Sequence, residues 1–198
     1  REDCLYYLTV GNEMYLHPPM PEGAREGILR GCYKLAAADP LGDWPQVHLF
    51  GSGAILREAW RAQDLLAERQ VAAHVWSVTS WTELRRDGLA TARWNRLHPL
   101  ENPKQSYLEE LLADEPYPVV AASDYLKVLG DGLAPFVPAG LVALGTDGFG
   151  RSDERAPLRR FFEVDAESIT VAALHVLAQR GQMSPDVVAQ AIGEFGIS

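Results

Sequence analysis

Residues 146–153 read TDGFGRSD, two glycines, two aspartates, a serine and an arginine within eight positions. Such a loop could grip a phosphate or a metal, carry acid–base chemistry, or only turn the chain between two packed elements. Its candidate groups are Asp147, Gly148, Gly150, Arg151, Ser152 and Asp153. Gly148 and Gly150 permit backbone angles that other residues resist, and Asp147 can hydrogen-bond the loop's own amides. Arg151, a planar cation among acids, could clamp Asp147 or Asp153 or reach a carboxylate of a neighbouring subunit. Pro157 must lie in the first turn of the next element, so a helix carrying Leu158, Phe161 and Phe162 is expected to start no earlier than about Asp153, capped by Ser152 or Asp153. This chemistry suits a tight turn leaving the apolar run LVAL, and no phosphate need be invoked.

A second candidate is Gly51-Ser52-Gly53, which comes directly after an apolar run and opens a helical pattern, where bare backbone N–H groups suit an anion. The dinucleotide fingerprint is incomplete. Position 56 is leucine where a third glycine would let helix and strand close up, and the next core strand ends in Thr79-Ser80 without an acid for a ribose. No glycine-lysine-serine or glycine-lysine-threonine triplet makes a P-loop. A tight strand-to-helix turn is the favoured reading, with nucleotide or phosphate binding as its rival.

Other chemistry finds less support. The histidines His17, His48, His74, His98 and His175 make no i,i+4 pair and have no cysteine nearby, so they read as hydrogen-bonded structural residues and not as zinc ligands. In Gly148-Phe149-Gly150-Arg151-Ser152 the serine comes too late for a nucleophile elbow. Glu109-Glu110 and Asp153-Glu154 read as solvated surface. No residue is assigned as catalytic, cofactor-binding or metal-ligating.

The elements that must position these groups alternate. The runs VHLF (47–50), HVWSV (74–78), PVVAA (118–122) and LVAL (141–144) read as strands covered on both faces. Residues 54–69 place Ile55, Ala59, Ala62 and Leu66 on one helical face, and residues 107–112 and 124–133 are shorter helical candidates. Asp165 can cap a helix bearing Ile169, Ala173, Val176 and Leu177 as far as Gly181. Ser184-Pro185 opens another, with Val188, Ile192 and Phe195 before Gly196. The alternation predicts an α/β fold, a parallel sheet between helices. LYYLTV (5–10) reads as a further strand, and a stretch rich in proline and glycine comes after it.

The chain has 198 residues, 47% of them hydrophobic, enough for one good core. A net charge of −9 and a pI near 5.0 disfavour nucleic acid and anionic membrane surfaces as partners. Cys4 and Cys32 stand 28 positions apart without a partner motif, which points to a reducing, cytoplasmic setting. No run approaches a membrane span and no signal peptide is evident. A first residue of Arg1 suggests a fragment.

Four stretches carry a resemblance: YYLTVGNEMYLHPPMPEGAREGILRGCYKL, GSGAILREAWRAQDLLAE, VWSVTSWTELRRDGLATARWNRLHP and LGTDGFGRSDERAPLRRFFEVDAESI. In order, they resemble the C-terminal part of the homodimeric bacterial pyruvate dehydrogenase component. The looser pattern ending in Phe161-Phe162 is also similar to the last domain of transketolases. The resemblance implies a three-layer α/β/α domain with a mixed, mostly parallel five-stranded sheet over residues 23–198. Residues 1–22 would then be the end of a preceding pyrimidine-binding domain and a proline-rich linker. It implies thiamine diphosphate and magnesium bound upstream, across a dimer interface, with none held here, since the family's glycine-aspartate-glycine to paired-asparagine motif has no counterpart. It further implies pyruvate decarboxylation, reductive acetylation of a lipoyl group, and dihydrolipoyl acetyltransferase as partner. The substrate could be pyruvate or a longer acid such as 2-oxobutyrate. A free-standing nucleotide- or phosphate-binding α/β protein using Gly51-Ser52-Gly53 and a plain interaction module are the rivals.

Overall fold

The computed structural model describes residues 3–11, 13–16, 18–39 and 42–197. The strands are β1 (Cys32–Ala36), β2 (Gln46–Gly51), β3 (Ala72–Val78), β4 (Val119–Ala122) and β5 (Leu141–Leu144). Helix α1 (Ala24–Arg30) precedes β1. Between the later strands lie α2 (Leu56–Ala67), α3 (Trp81–Leu97), α4 (Tyr107–Leu112) and α5 (Val128–Asp131). After β5 come α6 (Arg155–Phe161), α7 (Ala166–Gln179) and α8 (Pro185–Phe195). The sheet order is β1-β3-β2-β4-β5, with β1 antiparallel to β3 and every other pair parallel. This is the mixed, mostly parallel five-stranded α/β architecture that the resemblance implied, whereas the alternation alone predicted a parallel sheet and the antiparallel β1 departs from it.

Strand alternation divides the core in two. Val47, Leu49, Val75 and Val120 face α2 and α7, packing with Ile55, Ala59, Leu66, Ile169 and Leu174. Phe50, Trp76, Val78 and Ala121 face the other way, against Trp81, Leu84, Leu108, Leu133 and Phe136. Each large side chain withdrawn from water contributes roughly 1.5–3 kcal/mol, so strands buried on both faces need no propensity beyond their apolar content. Cys32 is buried and Cys4 exposed, both as free thiols, and burial pushes the Cys32 thiol up.

Asp165 caps α7 through Ser168 N, and Ser184 caps α8, which ends at Gly196 in the left-handed region. Several expectations need correction. LYYLTV forms no strand: Leu5, Tyr6, Tyr7, Leu8 and Val10 lie exposed, because no neighbouring ladder satisfies their backbone. Of residues 124–133 only Val128–Asp131 is helical, the glycines at 130 and 132 holding it to one turn. In α8, Ala191 is buried and Ile192 is exposed. Strand β1 and helices α1 and α3 did not figure among the elements read from the sequence. Among the described residues, no helix is long and apolar enough to cross a membrane.

Candidate functional site

β2 leads to α2 on one face of the sheet, whereas β4, its neighbour, leads to α5 on the other. Their carboxyl ends therefore flank the point where open α/β sheets accommodate ligands. Gly51-Ser52-Gly53 stands there. A Cβ on Gly51 would come within 2.7 Å of Leu56 Cα, so glycine is needed for the strand-to-helix approach. The Ser52 hydroxyl accepts the Trp81 indole N–H at 3.0 Å. Gly53 opens a short 3-10 turn at φ +53°, and a Cβ there would lie 3.7 Å from Asp124 Oδ1. That carboxylate would oppose an anion at the loop amides. These groups do not fit a diphosphate. Among the described residues no set of three or more histidine, cysteine or acidic side chains could hold a metal ion.

The TDGFGRSD loop is stitched to the connection after β4. Thr146 Oγ1 donates to Asp124 O at 2.8 Å, Thr146 N donates to Tyr125 O at 2.9 Å, and Lys127 N donates to Asp147 Oδ1 at 3.0 Å. Asp147 thus serves the neighbouring loop and not its own amides. Gly148 is left-handed at φ +88°, whereas Gly150 has no positive φ. Neither Ser152 nor Asp153 caps the next helix: the N-cap is Glu154, without a side-chain cap, and Asp153 Oδ1 accepts from Glu154 N at 2.7 Å. Phe162 falls at the C-cap of α6, one residue past its end. Arg151 clamps neither aspartate. Its guanidinium lies 3.6 Å from the Phe161 ring centroid, since the ring face offers a closer site for the planar cation.

Register brings together two histidines that sequence spacing separates. His48 pairs with His74 across β2 and β3, with ring centroids 5.5 Å apart. His48 Nδ1 accepts the Trp76 indole N–H at 3.0 Å, so its Nε2–H donates to Glu115 O at 2.9 Å. His74 Nδ1 accepts Ala38 N at 3.2 Å, and its Nε2–H donates to Gln46 Oε1 at 3.0 Å. Each neutral ring is fully bonded, and the Tyr117 ring stacks on His74. Burial lowers the His48 pKa to about 4 and also lowers that of His74. Lys34 Nζ meets Glu115 Oε1 at 2.5 Å nearby. His17 lies outside the described residues.

A buried ionic cluster escaped the sequence reading. Glu58, nearly inaccessible in α2, receives Arg159 Nη1 at 3.0 Å, Arg61 Nη1 at 2.8 Å and Ala166 N at 3.2 Å. Arg159 also donates to the Tyr15 hydroxyl at 2.8 Å, tying the leading segment to α6 and α2. An acid at position 58, three residues after Ile55 and four before Ala62, sits on the apolar stripe of α2, and that was the available signal.

The family described as "Transketolase-like TK C-terminal domain" matches residues 31–165. The chain belongs to that family. Along its whole length it is 51% identical to the pyruvate dehydrogenase E1 component of Pseudomonas aeruginosa and 49% identical to that of Escherichia coli K12. In both cases it spans 22% of the relative's length. Among solved structures, a transketolase from Pichia stipitis superposes with a TM-score of 0.54 at 18% identity, over 80% of this chain and 19% of the other. A transketolase from Leishmania mexicana gives 0.51 at 18%, over 78% and 19%. At such identities the superpositions speak for the fold, a transketolase C-terminal α/β domain.

Proposed function

We propose that this chain is the non-catalytic C-terminal domain of a thiamine-diphosphate-dependent pyruvate dehydrogenase component. That component would decarboxylate pyruvate and reductively acetylate the lipoyl group of its dihydrolipoyl acetyltransferase, in the cytoplasm. The carrying observation is the end-to-end identity of about one residue in two with the bacterial E1 components. In the crevice the Ser52 hydroxyl is engaged by Trp81 and the Asp124 carboxylate faces Gly53, an arrangement that disfavours an anion at the loop amides. Thiamine diphosphate and magnesium would be held elsewhere in the longer protein, where the cofactor would supply the carbanion chemistry.

In this reading residues 23–198 form the domain, and residues 1–22 close a preceding pyrimidine-binding domain and link to it. The domain braces a homodimer and offers the acetyltransferase an acidic surface, which steers a basic docking domain. The isolated chain should turn over no pyruvate at any cofactor or magnesium concentration and give no calorimetric heat with thiamine diphosphate or NAD. The longer protein should reduce an acceptor dye with pyruvate in preference to 2-oxobutyrate, and its association with acetyltransferase should weaken as salt rises. Turnover by the isolated chain would overturn the assignment. Preference for 2-oxobutyrate would change the substrate and leave the domain's role intact.

A further inference from the structure

The buried residues of α3 are Trp81, Leu84 and Gly88, all in its first half. The remaining turns run on without burying a residue, yet the segment beyond them is firmly held. Asn95 Nδ2 donates to Lys104 O at 2.9 Å while Lys104 N donates to Asn95 Oδ1 at 2.8 Å. The Trp94 ring stacks on His98 at 4.3 Å and receives Lys104 Nζ at 3.8 Å from its centroid. His98 Nδ1–H donates to Trp94 O at 2.8 Å. A surface already ordered loses less entropy when something binds it.

Its chemistry differs from the rest of the molecule. Residues 85–104 hold five basic and two acidic residues, against thirteen basic and twenty-five acidic elsewhere. Leu89, Arg93, Arg96 and Leu97 are spaced three and four residues apart and share a helix face. Leu89 is 48% exposed, Leu97 54% and Leu100, just beyond the helix, 99%. Within the described residues the Arg93 and Arg96 side chains enter no ion pair or hydrogen bond. A single exposed leucine needs no explanation, but three beside two unpaired guanidiniums form a continuous basic and apolar strip.

We propose that this face of α3 is a docking surface for a short acidic segment of a protein partner that carries leucine-like residues among its carboxylates. The arginines would take the carboxylates and the three leucines the apolar side chains. A long polyanion is disfavoured because the acidic remainder of the surface repels it, whereas a segment confined to the strip escapes that field.

The test is fluorescence anisotropy of the 198-residue chain with a short labelled synthetic peptide that places Glu and Leu on one helical face. Saturable binding is expected. It should fall about tenfold in Arg93→Glu/Arg96→Glu, fall in Arg93→Gln/Arg96→Gln and Leu97→Ala, and weaken with salt. Arg25→Glu/Lys127→Glu, which shifts net charge equally from other faces, should leave it unchanged. The proposal is overturned by absence of saturable binding, by an equal loss in that control, or by a single-stranded DNA oligonucleotide binding as tightly as the peptide. It is also overturned if wild-type chain self-associates in sedimentation and Arg93→Glu/Arg96→Glu abolishes this, which would make the face a contact between copies.

Discussion

The indole of Trp76 points its N–H at Nδ1 of His48 from 3.0 Å, so the imidazole cannot take a second proton without setting two N–H groups against each other. The bond fixes the tautomer that donates to Glu115 O, and through it the turn before β4. His74 repeats the arrangement one strand away, with the Ala38 amide as donor.

Stability should therefore fall in acid. The unfolded His48 titrates near 6.5, and burial, against the opposing pull of the Glu115 carbonyl, holds the folded group near 4. Between those values the unfolded chain binds more protons, so stability rises with pH across the window and is lost as pH falls through it. The shift corresponds to about 3 kcal/mol. Urea midpoints measured from pH 7 to pH 4 should decline, and His48→Gln, less stable at pH 7, should show a flatter decline. An unchanged slope in the variant would assign the acid sensitivity to other groups. Glu115, which burial pushes up but the hydrogen bond and charge of Lys34, with the two histidines, bring net below its ordinary value, loses its contribution only below about 4.5 and is separable.

Glu58 should be the most costly single ionic position. Neutralising it leaves Arg159, only 19% exposed, without its carboxylate, and truncation of a buried pair typically costs about 3–5 kcal/mol. Glu58→Gln should lower the denaturation free energy by roughly 3 kcal/mol. Adding Arg159→Met should recover part of that loss, because the orphaned charge is removed with its partner. If the double variant is less stable by the sum of the single effects, the two residues act independently and the cluster has been misread.

The parts of this fold visible in sequence were those whose signal is local. Continuous apolar runs at VHLF, HVWSV, PVVAA and LVAL marked strands covered on both faces, and Asp165, Ser184-Pro185 and Gly196 marked helix ends by their own backbone chemistry. Strand β1 hides because it is a half-buried edge whose lysine faces Glu115. Helix α3 hides because only three of its seventeen residues are buried. LYYLTV has strand composition, but a strand exists only with a partner to bond. The pairing of His48 with His74 and of Ser52 with Trp81 arises from register and crossover, neither of which is written in spacing along the chain.

The leading segment should be dispensable for the core. Its contacts among the described residues include Glu13 with Arg155, Tyr15 with Arg159, and the Tyr15 ring under Arg57. The Glu13–Arg155 pair is exposed and contributes about 0–1 kcal/mol, and the part-buried Tyr15–Arg159 hydrogen bond adds a similar amount. Deleting residues 1–20 should lower the melting temperature by only a few degrees, at about 2–4 °C for each 1 kcal/mol these contacts supply. A much larger fall would make the segment integral to the domain, and the boundary near residue 23 would have to move.

Arg151 offers the sharpest probe of the TDGFGRSD loop. Its guanidinium lies on the Phe161 ring, and among the described residues it forms no ion pair, so within this chain its stabilising contribution is that of one exposed cation–π contact, about 0.5–1 kcal/mol. Arg151→Ala should accordingly lower the melting temperature of the 198-residue chain by a few degrees at most. Phe149 beside it is 97% exposed, so the loop presents an aromatic ring and a cation together to whatever lies outside the domain. In the dimeric component proposed above, the same substitution should weaken dimer affinity by more than the stability loss of the isolated chain accounts for, with thiamine diphosphate affinity nearly unchanged. Analytical ultracentrifugation and cofactor titration of that variant decide the matter. Intact assembly with lost cofactor binding would place the loop in the active site and end the structural reading of it.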